Sequence, residues 1–172
     1  MLAFQVGQQV SIHELTKKLA INRETVERYI DLLEKAFVIF RLKAFSRNLR
    51  KEINKKEKIY FYDVGIRNSL INRFDDTDIR DDIGGLWENI CIIERKKMLQ
   101  KTSQRTPQYF WRTHDKKEID YIEEYNGKIY GYEFKKSKKT AKIPKEFCET
   151  YPNSKIEIIS EDNWWKFIGV GT

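Results

Sequence analysis

The stretch "EIDYIEEYNGKIYGYEFKKSKK", residues 118–139, decides how the chain is read. Two alternating segments flank Asn126-Gly127, and Asn-Gly is the strongest short signal for a two-residue type I′ hairpin turn. With Tyr125 set opposite Lys128, counting outward places Asp120 opposite Glu133 and Glu118 opposite Lys135, all four on one face. Directly opposed side chains have Cβ atoms roughly 5 Å apart, and like charges there destabilise a sheet. Two facing carboxylates therefore call for a cation. A hard cation such as Mg²⁺ would serve, because it takes oxygen ligands and is often held by one or two carboxylates plus water. The bland alternative is a solvated face with a Glu118–Lys135 ion pair, worth about 0–1 kcal/mol. Tyr130, Tyr132 and Phe134 point the other way, toward a core. Gly131, on the charged face, leaves room for a substrate.

Outward from the hairpin, the second half of the chain reads α-β-β-β-α-β. "GGLWENICIIERKKMLQ" is a helix packed through Trp87, Ile90, Cys91 and Met98, and "QYFWR" (108–112) is a strand. The two hairpin strands follow, then a helix starting at Pro144, then the strand "KIEII" (155–159). The terminal "NWWKFIGV" is expected to pack back onto the sheet.

The first half has a different character. Ser11 is placed to cap a helix, with Glu14 completing a capping box, and Ile12, Leu15 and Leu19 form its apolar stripe. Asn22 caps a second helix with Val26, Ile30, Leu33 and Phe37 at helical spacing. Two short helices followed by the strands "VIFRLKAF" and "KIYFYDV" suggest a winged helix. The second helix carries Arg23, Arg28 and Lys35 against Glu24, Glu27, Asp31 and Glu34. Phosphates dominate DNA affinity, so the basic wing should lead any contact with DNA. A protein-binding or architectural role for this unit is an equal alternative. The division expected is residues 1–70 and 71–172, with the boundary inside 63–84.

Charge and composition fit this picture. The 172 residues carry a net charge of +7, with 40% hydrophobic and 13% aromatic residues, which is too rich for disorder. Residues 41–58 hold eight basic and two acidic residues, and 135–145 hold six basic and none acidic. No apolar run approaches the roughly 20 residues of a membrane span, and no signal-peptide pattern opens the chain. Cys91 and Cys148 sit in no metal-type spacing, so a reducing cytoplasm is the expected compartment.

Asp120 followed by Glu133-Phe134-Lys135, on a hairpin preceded by a helix bearing Glu88, resembles the PD-(D/E)xK nuclease superfamily over residues 84–160. Ile119 stands where that pattern often has proline. The resemblance implies an α/β (α+β) fold with a restriction-endonuclease-like αβββαβ mixed sheet. Asp120, Glu133 and the Phe134 carbonyl would ligate Mg²⁺ or Mn²⁺, with Glu88 a third acid. Lys135 would orient and acidify the attacking water. Arg112, Lys136, Lys138 and Lys139, with Arg47, Arg50 and Lys51 of the wing, would hold the DNA backbone. Over nearly the whole chain, "VERYIDLLEKAFVIFRL", "KIYFYDVGIRN", "GGLWENICIIE", "YFWRTHDKKEIDYI" and "YGYEFKKS" resemble the C-terminal half of prokaryotic AAA-type ATPases. That resemblance implies an upstream ATP-binding module in the parent protein. No G-x-x-x-x-G-K-[ST] loop occurs in the sequence, so this chain is not expected to bind ATP. The expected function is metal-dependent hydrolysis of DNA phosphodiesters. The alternative is a non-catalytic module that docks a protein partner or DNA for the ATPase.

Overall fold

Ser11 and Asn22 each satisfy a free amide at the start of a helix. In the computed structural model, Ser11 Oγ accepts from the Glu14 N–H at 3.3 Å and Asn22 Oδ1 from the Thr25 N–H at 2.8 Å. They open α1 (Ile12–Leu19) and α2 (Arg23–Lys35). The structure describes residues 1–46, 57–102, 106–137 and 141–169. Leu15, Val26 and Ile30 are buried as the helical spacing requires, but Phe37 is exposed. Phe37 lies past the end of α2 with φ +56°, so it no longer shares the helix face. Leu19, also exposed, borders an apolar cavity of about 580 Å³ with Leu15, Ile21, Tyr29 and Leu70.

Seven strands form one sheet: β1 (Gln9–Val10), β2 (Ile39–Ala44), β3 (Glu57–Phe61), β4 (Gln108–Arg112), β5 (Glu118–Tyr125), β6 (Lys128–Phe134) and β7 (Ser154–Ile159). Their order is β1-β3-β2-β4-β5-β6-β7, parallel at β2–β4 and β6–β7 and antiparallel elsewhere. The fold is thus mixed α/β on a mixed sheet. The strands of the first half do not form a sheet of their own. Lys43 pairs with Tyr109 and Ala44 with Phe110, so β2 carries the sheet directly into β4. That continuity brings β3 close to the hairpin.

Helix α3 (Val64–Leu70) was not foreseen in the sequence; Asp63 caps it by accepting from the Ile66 N–H at 3.0 Å. Helix α4 (Ile83–Lys101) buries Trp87, Cys91 and Ile92 in a core shared with Phe110, Tyr121, Tyr132 and Phe134. Helix α5 (Lys145–Thr150) places Phe147 in a second core with Trp111, Ile119, Ile122 and Ile129. Phe110 and Trp111 are neighbours on β4 and belong to different cores. Strand alternation therefore puts α4 and α5 on opposite faces. The short α6 (Trp164–Phe167) does fold back, with the Phe167 ring 4.7 Å from Tyr132 and 5.6 Å from Phe134.

Candidate functional site

The hairpin register follows from its turn. Asn126 (φ +49°) and Gly127 (φ +72°) both adopt the left-handed conformation of a type I′ turn. Tyr125 pairs with Lys128, Ile122 with Gly131 and Tyr121 with Tyr132. The described ladder ends there, and the reason lies on the other side of β5. Against β4, Tyr109 pairs with Ile122 and Trp111 with Ile119, which leaves one extra residue on β5 around Asp120 and Tyr121. A bulge of this kind bends a strand and re-aims its side chains. The next β6 donor, the Phe134 N–H, goes to Asp120 Oδ2 at 3.0 Å rather than to a β5 carbonyl.

The two carboxylates remain electrostatic neighbours. Glu133 is buried, and burial first, then the Asp120 charge, pushes its carboxyl up to about 7, against the opposing pull of Lys135. Lys135 Nζ lies 3.3 Å from Glu133 Oε2. The backbone of Lys135 is fixed by β7, its N–H donating to the Ile159 carbonyl at 2.9 Å.

A second group of charges adjoins Asp120 from the first half of the chain. Lys58, on β3, is 1% exposed, and its Nζ lies 2.9 Å from Glu88 Oε1 and pairs with Glu118 Oε1. The Tyr60 hydroxyl donates to the same Glu88 oxygen. Burial works against the Lys58 charge, but Glu88, Glu118 and Asp120 together more than offset it, and its proton is held above the ordinary lysine range. Glu88 moves in the opposite sense for an ion-pair partner. Burial raises its carboxyl to about 7, and although Lys58 opposes this, Asp120 reinforces it. One ammonium cannot neutralise so many neighbouring carboxylates. The lysine stays charged, and the excess of carboxylates is relieved at Glu88 and Glu133, whose raised carboxyls hold a proton more readily than ordinary ones.

The remaining candidates are distributed as follows. Glu88 lies on a buried face of α4 rather than on an exposed first turn. Arg112 Nη1 is 2.8 Å from Glu118 Oε2, so its guanidinium is engaged within the sheet. The Phe134 ring is in the core, and Lys136 follows β6 with its carbonyl accepting from the Glu161 N–H at 3.4 Å. Lys138, Lys139, Arg47, Arg50 and Lys51 lie outside the described residues. Gly131 does not hold space open for a substrate. A Cβ there would sit 3.2 Å from Ile119 Cγ2 and 3.3 Å from Ile156 Cγ1, so the missing side chain lets the buried Ile119 and the partly buried Ile156 close over the strand.

Among the described residues, no three His, Cys, Asp or Glu side chains are arranged to hold a metal ion. What is present is a pair of hard oxygen donors, Asp120 and Glu133, with excess negative charge. That set fits an ion such as Mg²⁺, which keeps several of its waters. Lys58 and Tyr60 were missed in the sequence. Lys58 falls within the basic run 41–58, yet strand alternation pairs it with Tyr60 on one face of a strand whose remaining residues after Glu57 are the apolar Ile59 and Phe61. That pattern was the available signal.

Residues 1–77 match the family described as Domain of unknown function (DUF8612), and residues 83–164 match Domain of unknown function (DUF4143). The chain is 31% identical over 139 residues to the uncharacterized proteins Rv2008c of Mycobacterium tuberculosis and Mb2031c of Mycobacterium bovis. Each match covers 80% of this chain but only 31% of the relative's length. No solved structure matches. Among the described residues, no helix is long and apolar enough to cross a membrane.

Proposed function

We propose that the chain hydrolyses DNA phosphodiesters with a divalent cation, through a PD-(D/E)xK nuclease-like domain that follows a winged-helix segment. In the parent protein these would form the C-terminal part of an AAA-type ATPase. One observation carries the reading: Asp120, Glu133 and Lys135 converge at the end of one hairpin, where burial and the Asp120 charge raise the Glu133 carboxyl against the pull of Lys135. Asp120 and Glu133, with the Phe134 carbonyl, would hold Mg²⁺ or Mn²⁺. When bound, the ion would supply charge stabilisation on the phosphate. Lys135 Nζ would hold the attacking water and ease the loss of its proton, while burial of Glu133 keeps bulk water from screening the site. Lys136, two residues beyond the end of the strand that carries Glu133, would meet a phosphate oxygen of the strand being cut.

The competing reading is a docking module without catalysis. It draws on the absence of a three-ligand metal cluster among the described residues. The two readings separate on incubation with supercoiled, linear and branched DNA in Mg²⁺ or Mn²⁺, beside Asp120→Ala and Lys135→Ala. Cleavage lost in both variants supports the hydrolase. Binding without cleavage, weakening steeply with salt, supports docking.

A further inference from the structure

Lys58 belongs to the part of the chain that matches the first family, yet its ammonium ends among carboxylates of the second. It touches Glu88 on α4 and Glu118 on β5, and the Asp120 charge acts on it as well. Burying an ammonium costs several kcal/mol unless charge and hydrogen bonds compensate, and here two carboxylates do so directly. The surrounding oxygens are taken up in the same way. Glu118 gives one oxygen to Lys58 and the other to Arg112, while Glu88 Oε1 receives both Lys58 and the Tyr60 hydroxyl. The backbone closes on the remaining Glu88 oxygen, since a Cβ on Gly7 would lie 3.1 Å from Oε2. Gly7 has φ +73°, so glycine suits this approach.

Two-metal phosphodiesterases hold their ions about 3.5–4 Å apart. Asp120 links the two groups: it lies two residues from Glu118 on β5, its Oδ2 accepts from the Phe134 N–H next to Glu133, and its charge acts on Glu88 and Lys58 as well as on Glu133. We propose that Lys58 is a positioning residue that occupies the second of these cation places, so that the site admits one divalent ion, at Asp120 and Glu133, and not two. A lysine is a compact point charge with three donors. It can fix Glu88 and Glu118 as a metal would, but it carries no coordinated water. The first half of the chain is thereby part of the site. This inference rests on the hydrolase reading only for the ion at Asp120 and Glu133.

The test counts Mn²⁺ bound per full-length chain, from the loss of the free-ion electron paramagnetic resonance signal. Wild type should bind one ion, Lys58→Met two, and Lys58→Met/Glu118→Gln one. A folded Lys58→Met that binds no more ions than wild type overturns the inference, as does wild type binding two. Wild type binding none while Lys58→Met binds one would sink the Asp120–Glu133 ion and leave the role of Lys58 standing. If Lys58→Met does not fold alone, its far-UV spectrum and cooperative melt should return with millimolar Mn²⁺ and not with added Na⁺. Failure of Mn²⁺ to restore them counts against the inference.

Discussion

Lys58 Nζ lies 2.9 Å from Glu88 Oε1, joining β3 to α4 through a buried ion pair between the two matched segments of the chain. Removing one partner of such a pair leaves an uncompensated buried charge, at a cost of about 3–5 kcal/mol. Lys58→Met in metal-free buffer should lose that much in urea unfolding. Glu88→Gln should cost roughly 1 kcal/mol, because Lys58 keeps Glu118 and the glutamine can still hydrogen-bond. Equal losses in the two variants would contradict the charge balance described for the site.

The same balance sets a pH dependence. Glu88 and Glu133 both have carboxyls raised to about 7, with burial as the first cause and Asp120 adding to each. A raised folded-state value means that the folded chain binds protons the unfolded chain has released. The associated stability is complete below the ordinary carboxyl value and is lost as pH rises through about 7. Asp82 works the other way. Hydrogen bonds from Arg80, with Arg67 adding to them, hold it well below the usual range despite burial, so its contribution is lost only in strong acid. Urea midpoints should therefore fall between pH 5 and pH 8, and Glu133→Gln should flatten that slope. A midpoint that rises over this interval would refute the assignment.

Gly131 separates packing from substrate access. Gly131→Ala pushes a methyl group against Ile119 and Ile156, both at under-spaced contact distances. Overpacking of this kind costs about 1–3 kcal/mol. The loss should appear in thermal unfolding with or without DNA. Unchanged stability with impaired DNA binding would restore Gly131 as a substrate-facing position.

Arg95 tests the far side of the same hairpin. Its guanidinium holds Glu123 through Nε and Nη2, each at 2.7 Å, and Glu123 is almost wholly buried. Arg95→Met should destabilise the chain by roughly 3–5 kcal/mol while leaving Mn²⁺ binding per folded molecule unchanged. A loss of metal binding in folded Arg95→Met would show that the two faces of the hairpin are coupled.

Structure was legible in the sequence where its signals are self-contained. The caps at Ser11 and Asn22, the turn at Asn126-Gly127 and the α-β-β-β-α-β order each depend on residues close together in the chain. The bulge at Asp120 was not legible, because it arises from mismatched pairing with β4, and nothing in residues 118–139 records where β4 sits. Lys58 was missed for a related reason. Its charge acquires a partner only through the β2–β4 junction, which carries the sheet across from the first half to the second. Sequence spacing places residues on a face; it does not say which distant strand will lie beside them.

Metal-dependent cleavage is decided by the single-turnover rate on a DNA substrate in Mn²⁺, for wild type, Asp120→Ala and Lys135→Ala at matched folded concentrations. Wild type should cleave, and the rate should fall on the order of 10²-fold or more in each variant, the scale seen when a group stabilising transition-state charge is removed. Equal rates in all three proteins, or no cleavage by wild type while the DNA is bound, would contradict metal-dependent hydrolysis at this site.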